Sequence, residues 1–331
     1  MSAWRANDDG MSYELRRDQE LGANLRRICR KQVENALQVV RGEVEVDDSP
    51  VHQTRKHLKK ARAALRIVSD EIGHGLFKEQ DRSFRDVGRF ISDVRDAEVR
   101  LQTVRQLQEI TWRQSHQAFR ETEELLLAEL EHFLAAFAGW QKEAAARLEK
   151  LQKEVEEWPV EDLDCKSLRC ALQRAYKCAR DAFTLAQAKP TPENFHEFRS
   201  QTKRLLYQLR ILRPANPLVI GALLDELNSL GEVLGRSHDL HFLGDRLRRN
   251  DSKPSEREAG ALIAVIDTSE MELQKRSVDL AGHFFDERPR DFGNRLSSWL
   301  QEWIRGEAPN VADALVCKGD VLGLATPKRR R

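Results

Sequence analysis

Two rows of basic side chains, repeated at one spacing, are the residues of this chain best equipped to do chemistry. In VHQTRKHLKKARAALRIV (51–68), His52, Arg55, Lys59, Arg62 and Arg66 recur at steps of three and four. In FHEFRSQTKRLLYQLRIL (195–212), His196, Arg199, Lys203 and Arg210 follow the same steps, with Leu206 in place of one basic residue. Lys60 and Arg204 sit beside the rows. Such spacing puts side chains on one face of a helix, and at ~1.5 Å per residue the first row covers about 21 Å. A line of guanidinium forks and ammonium point charges suits a long polyanion, because Arg pairs two phosphate oxygens at once and both residue types displace condensed counterions.

A solvated helix face normally balances such charges with acids three or four positions away. Between Val51 and Ser69 there are six Lys or Arg, two His and no Asp or Glu. Like charges at these spacings repel, so the helix loses stability by keeping them. The chain as a whole holds 55 Lys and Arg against 54 Asp and Glu. Near-neutrality therefore conceals segregation, since the acids gather in 121–157 and on to Asp164. This is the pattern of an anion site on a protein that is not sticky elsewhere.

Other chemistries lack their residues. There is no glycine-rich phosphate loop, no carboxylate group gathered for Mg²⁺ and no nucleophile beside a base, so no catalytic residue and no cofactor is expected. Lys and Arg crowded around His52 and His196 disfavour a bound cation, so no metal is expected either. Five cysteines, an odd number without zinc or redox spacing, read as reduced thiols. Nucleic acid is a rival polyanion, but aromatics make up only 7% of the chain and few interleave with the basic rows, leaving no stacking platform. The other alternative is an adaptor bundle that binds a protein partner through its acidic stretch, 121–157.

The elements that must position the rows are helical. A third of the residues are charged, and Gly and Pro number only 17 and 10, a balance that favours long helices over strands. Periodicity predicts helices over 13–41, 50–72, 76–110 and 112–158, then, after Pro159, over 166–188, 193–212, 217–249 and 255–285, with one more around 292–305. In the two quoted stretches Val51, Thr54, Leu58, Ala61, Leu65 and Val68, and likewise Phe195, Phe198, Thr202, Leu205, Leu209 and Leu212, form apolar seams beside the basic rows. An offset of 144 residues lays His52 on His196, Arg55 on Arg199, Lys59 on Lys203 and Arg66 on Arg210. With one residue less, Asp96 falls on Asp239 and Gly88 on Gly231. The halves read as copies of one helical unit.

The pattern H-x-x-R-x-x-x-K-K-x-R in the first copy and H-x-x-R-x-x-x-K-R-x-x-Y in the second, each followed by an L-G-x-x-R-D-like segment, resembles the CHAD domain, the conserved histidine α-helical domain, over about 13–285. The resemblance implies an all-α fold of two four-helix bundles related by an internal pseudo-twofold axis, with the basic helices meeting at a central groove or pore that binds inorganic polyphosphate. It assigns the ligand to His52, Arg55, Lys59, Lys60, Arg62, Arg66 and Arg95, and to His196, Arg199, Lys203, Arg204 and Arg210, with Asp96, Asp239 and Tyr207 orienting them. Leu206 stands at an expected arginine, His238 at the arginine before Asp239, and Ile91 and Ser92 at Leu-Gly. The second copy is therefore expected to contribute less. For His52 and His196 two roles stay open: donation to phosphate when protonated, or capping and pairing within the bundle.

The division expected is 1–12 disordered, 13–158 and 159–285 as the two bundles, and 286–331 an extension ending in a basic tail, PKRRR. No apolar run resembles a signal peptide or a membrane span, so a cytoplasmic protein is expected, in the resembled family in part associated with polyphosphate granules and polyphosphate-metabolising proteins. Its oligomeric state is not legible.

Overall fold

The computed structural model describes residues 13–110, 116–249 and 256–307. The segment 1–12, the basic tail and Cys317 lie outside them. Among the described residues the chain is all-α, with eleven helices and no strand: α1 (Leu21–Arg41), α2 (Pro50–Ile67), α3 (His74–Phe90), α4 (Ser92–Ile110), α5 (His116–Ala136), α6 (Trp140–Glu156), α7 (Cys165–Ala188), α8 (Pro192–Ile211), α9 (Pro217–Arg248), α10 (Glu256–Phe284) and α11 (Pro289–Arg305).

Both basic helices are α2 and α8, and both start by the same device. Ser49 caps α2 by accepting from the His52 backbone N–H at 3.1 Å, and Pro50 follows at the first helical position. Thr191 caps α8 by accepting from the Asn194 N–H at 3.3 Å, again ahead of a proline. The hydroxyl satisfies an orphan N–H and the proline fixes φ where no donor is needed. The apolar seams of both helices are buried as their spacing requires, and Leu206 is buried with them, at 2% exposure.

Four expected helices differ, one of them, 50–72, only in stopping at Ile67. The chain from Tyr13 to Glu20 is not helical: the Tyr13 hydroxyl donates to the Lys60 carbonyl at 3.0 Å and the Leu15 N–H to the Ile211 carbonyl at 3.0 Å, which ties this segment to α2 and α8. The run 76–110 breaks at Ile91, a fully buried residue that packs with Val51 and Val94 in a small core under Phe90, Phe137 and Trp140. The run 112–158 turns at Gly139, whose φ of 82° is left-handed and open to glycine at little cost. Helix α9, by contrast, runs unbroken for 32 residues.

Packing crosses the 158/159 boundary. The largest apolar core joins α1, α2, α3 and α6 to α7, α8, the first half of α9, the end of α10, and α11. A second core is built from α4 and α5 together with the far half of α9 and the start of α10, through Leu101, Val104, Leu126, Leu243, Leu262 and Ile266. Helix α11 packs on α7, as α6 packs on α1, and buries Phe292, Leu296, Trp299 and Leu300. At the centre α2 lies directly against α8, and the Gln208 amide donates to the Ala63 carbonyl at 3.2 Å. The acidic helices find partners inside the fold: Arg105 with Glu123, Arg41 with Glu149, Arg30 with Glu156, and both Arg100 and Arg246 with Glu129.

Candidate anion-binding site

Because α2 and α8 are neighbours, their basic rows fall into one electrostatic field. Arg55 is anchored on α3, where its Nη1 donates to the Gly88 carbonyl at 2.6 Å. Burial lowers its pKa, Asp96 opposes that, and Arg95 and Arg199 add to it. Lys59 keeps an exposed surface along its side chain although protein crowds around its ammonium. Desolvation, then Arg199, Arg55, Lys203 and Arg95, bring Lys59 down to about 7. The charges that lower Lys59 are thus four other cations, two of them contributed by α8, while Asp239 is the carboxylate that feels Lys59 in turn.

The α8 row is seated on α9 by glycines. A β-carbon on Gly231 would lie 2.8 Å from the Lys203 Nζ, so the lysine lies across the backbone where only glycine leaves room. The Nε of Arg199 is 3.9 Å from the corresponding position on Gly235, sealed from solvent and without an acceptor. Desolvation and Arg199 lower Lys203 to about 8, with Glu232 opposing. Among the described residues no carboxylate lies within ion-pairing distance of Lys59, Arg199 or Lys203.

Two histidine sites close the N-terminal end of the rows. His52 Nε2 is 3.5 Å from an Asp48 carboxylate oxygen, yet burial and the neighbouring Arg95 hold its pKa down to about 4. His196, which is exposed, meets His238 with their Nδ1 atoms 3.4 Å apart and ring centroids 4.7 Å apart. Desolvation and Arg199 lower both, His238 to about 3. Two imidazoles so close, with Arg199 beside them, resist carrying charge together. Arg95 pairs with Glu98 at 3.3 Å, and Glu98 also accepts from the Ser49 hydroxyl at 2.7 Å. Asp96 and Asp239 are raised by burial and lowered by cations: Arg55 and Arg100 around Asp96; Arg199, Arg95 and Lys59 around Asp239.

Further along α2 the environment changes. Asp81 of α3, itself 13% exposed, binds Arg62 at 3.1 Å, Arg66 at 2.9 Å and Arg85 at 3.3 Å. Arg66 spends its Nη1 on the Arg62 carbonyl at 3.2 Å. Burial, then Arg62 and Arg204, lower Arg66 to about 9. Arg204 of α8 repels both Arg62 and Arg66. Asp81 and Arg85 escaped the sequence reading because nothing in 51–68 or 195–212 points to α3; an acid among the cations of KEQDRSFRD (78–86) was the available signal.

Lys60 separates from the rows. It is 2% exposed, with its ammonium 5.3 Å from the Tyr13 ring centroid, and belongs to the interior between the N-terminal segment and α2. One position past Lys59 turns a helix by about 100°, from the exposed row to the core. Tyr207 packs against the large core, with its phenol pKa raised by burial, and Arg210 acts on Glu14 and Lys203.

A family model for the CHAD domain matches residues 24–248. The chain belongs to the CHAD domain family. A solved CHAD domain from the plant Ricinus communis shares the fold, with a TM-score of 0.53, 18% identity, and coverage of 87% of this chain and 94% of that one. No protein of curated function matches. The CHAD match spans both basic helices and ends with α9, so it covers every residue of the two basic rows. Neither of two clefts, of about 500 and about 400 Å³, is lined by the basic rows. Among the described residues no three His, Cys, Asp or Glu side chains gather as for a metal ion, four cysteines are free thiols, and no helix is long and apolar enough to cross a membrane.

Proposed function

We propose that the chain binds inorganic polyphosphate, without catalysis, between the basic rows of α2 and α8. The observation that carries the reading is that Lys59, Arg199 and Lys203, drawn from two helices far apart in sequence, are held together without an ion-paired carboxylate. Holding cations this way costs stability, and a polyanion that enters relieves the repulsion. Membership in the CHAD family, for which the resemblance of the basic rows implies polyphosphate, supports the choice of ligand. So does the seating of each row against a glycine of the neighbouring helix, Arg55 at Gly88 and Lys203 at Gly231, two glycines that the repeat aligns. Docking a basic protein on the acidic helices is less favoured, because those acids already serve arginines of α1, α4 and α9. A cytoplasmic role at polyphosphate granules, beside polyphosphate-metabolising enzymes, belongs to the same proposal.

The test is titration of the full chain with long-chain polyphosphate, double-stranded DNA, single-stranded DNA and ATP at several salt concentrations. Tight, salt-sensitive binding that favours polyphosphate is the expected result. Equal or tighter binding of DNA would replace the ligand, and no binding of any of the four would end the reading.

A further inference from the structure

The cations of α2 are not equally available. Arg55, Lys59, Arg62 and Arg66 share one helix face, but Arg62 and Arg66 converge with Arg85 on the single carboxylate of Asp81. Arg62 gives it both Nε and Nη2, and Arg66 gives it Nη2 while its Nη1 is held by the Arg62 carbonyl. The charged groups facing Asp81 are thus Arg62 and Arg66 from α2 and Arg85 from α3, with Arg204 of α8 close enough to repel the first two. A carboxylate with three guanidinium partners has the ligand's own chemistry: oxygens that accept paired N–H donors.

We propose that Asp81 is a built-in competitor for the anion. It occupies the guanidinium groups of Arg62 and Arg66, so a bound phosphate chain engages the Lys59, Arg199 and Lys203 end and gains the Asp81 end only by displacing the carboxylate. This rests on the polyphosphate reading and divides its site into an open part and a latched part. The latch keeps affinity below what the count of basic residues would give, and holds the arginines in place when no anion is bound.

The experiment is polyphosphate titration of the full chain, of Asp81→Asn, and of Asp81→Asn combined with Arg62→Ala and Arg66→Ala. Each arginine set free is expected to tighten binding about fivefold at roughly 0.1 M salt and to steepen the salt dependence by about 0.7, the value for a flexible phosphate chain. The gain should disappear in the triple variant. A gain that survives there would mean that loss of one negative charge or release of Arg85, and not release of Arg62 and Arg66, is responsible, and would overturn the latch. Unchanged or weaker binding by Asp81→Asn would overturn it too. Arg66→Ala in the natural chain supplies a check independent of how Asp81→Asn folds: binding within about twofold is expected of a residue already occupied, whereas a loss of about fivefold, a full phosphate contact, contradicts the latch. If the natural chain binds no polyphosphate, the ligand reading itself fails; if it binds and these variants behave otherwise, the latch alone fails.

Discussion

Helices α2 and α8 carry the same row of residue types at the same spacing, yet they use them differently. Helix α2 has more cations, but Arg62 and Arg66 are bound to Asp81 and Lys60 is turned into the interior. Helix α8 has fewer, since Leu206 is a core residue, but Arg199 and Lys203 stand without ion-paired acids on the glycines of α9. The count of basic residues favours the first copy as the stronger wall; on the proposed reading, the partners of those residues favour α8. What a cation can do for a ligand depends on what already holds it.

The sharpest way to break this comparison is Arg199→Ala. Arg199 is a cause of the lowered pKa at Lys59, Lys203, His196 and His238. Its removal should cost at least about fivefold in polyphosphate affinity, the loss of one contact, and should raise the Lys59 pKa, which chemical-shift titration of the ammonium would read. Arg66→Ala should do neither.

Next in size is the effect of pH. A bound polyanion favours charged Lys59 and Lys203, so affinity should fall as pH rises from about 6.5 through their values of about 7 and about 8. Stability of the free chain moves the opposite way. Both lysines have folded pKa values below the unfolded one, so between about 7 and about 10.4 the unfolded chain holds more protons and stability rises with pH. His52 and His238, near 4 and 3, extend the trend: stability should fall as pH drops below about 6.5. Calorimetric melting across pH, with and without polyphosphate, checks both signs.

Gly231→Ala sharpens the comparison more gently. Its methyl group would meet the flexible end of Lys203 at 2.8 Å and push the ammonium aside. A loss of affinity of up to about fivefold is expected, with little change in melting temperature. The smallest effect on binding is expected for Lys60→Ala, which should stay within about twofold in affinity while lowering the melting temperature, because it removes a buried side chain from beside Tyr13.

The helix content, the seams and the two rows were legible because period-3.6 patterning reports directly on which face is buried. Helix ends set by local chemistry were legible too, as at Ser49-Pro50 and Thr191-Pro192. The break at Ile91 was not, because it depends on Val51, Phe137 and Trp140, which are remote in sequence. The shared core of α4, α5, α9 and α10 was hidden for the same reason. Within the site, Lys59 and Lys60 look alike as residue types and differ only by one helical step. Asp81 acts from α3, where no spacing in the basic rows could reveal it, and Gly231 acts from α9, where the repeat aligned it with Gly88 but nothing showed that Lys203 lies across it.

The most direct test of the central claim is the salt dependence of polyphosphate affinity for the natural chain and for Lys59→Ala with Arg199→Ala. Loss of two contacts should reduce the slope of log K against log salt by about 1.4, while Lys60→Ala with Arg66→Ala, which removes the same number of charges, leaves it nearly unchanged. Equal loss in both pairs would mean that total charge alone governs binding, and would contradict the distinction between open and occupied cations.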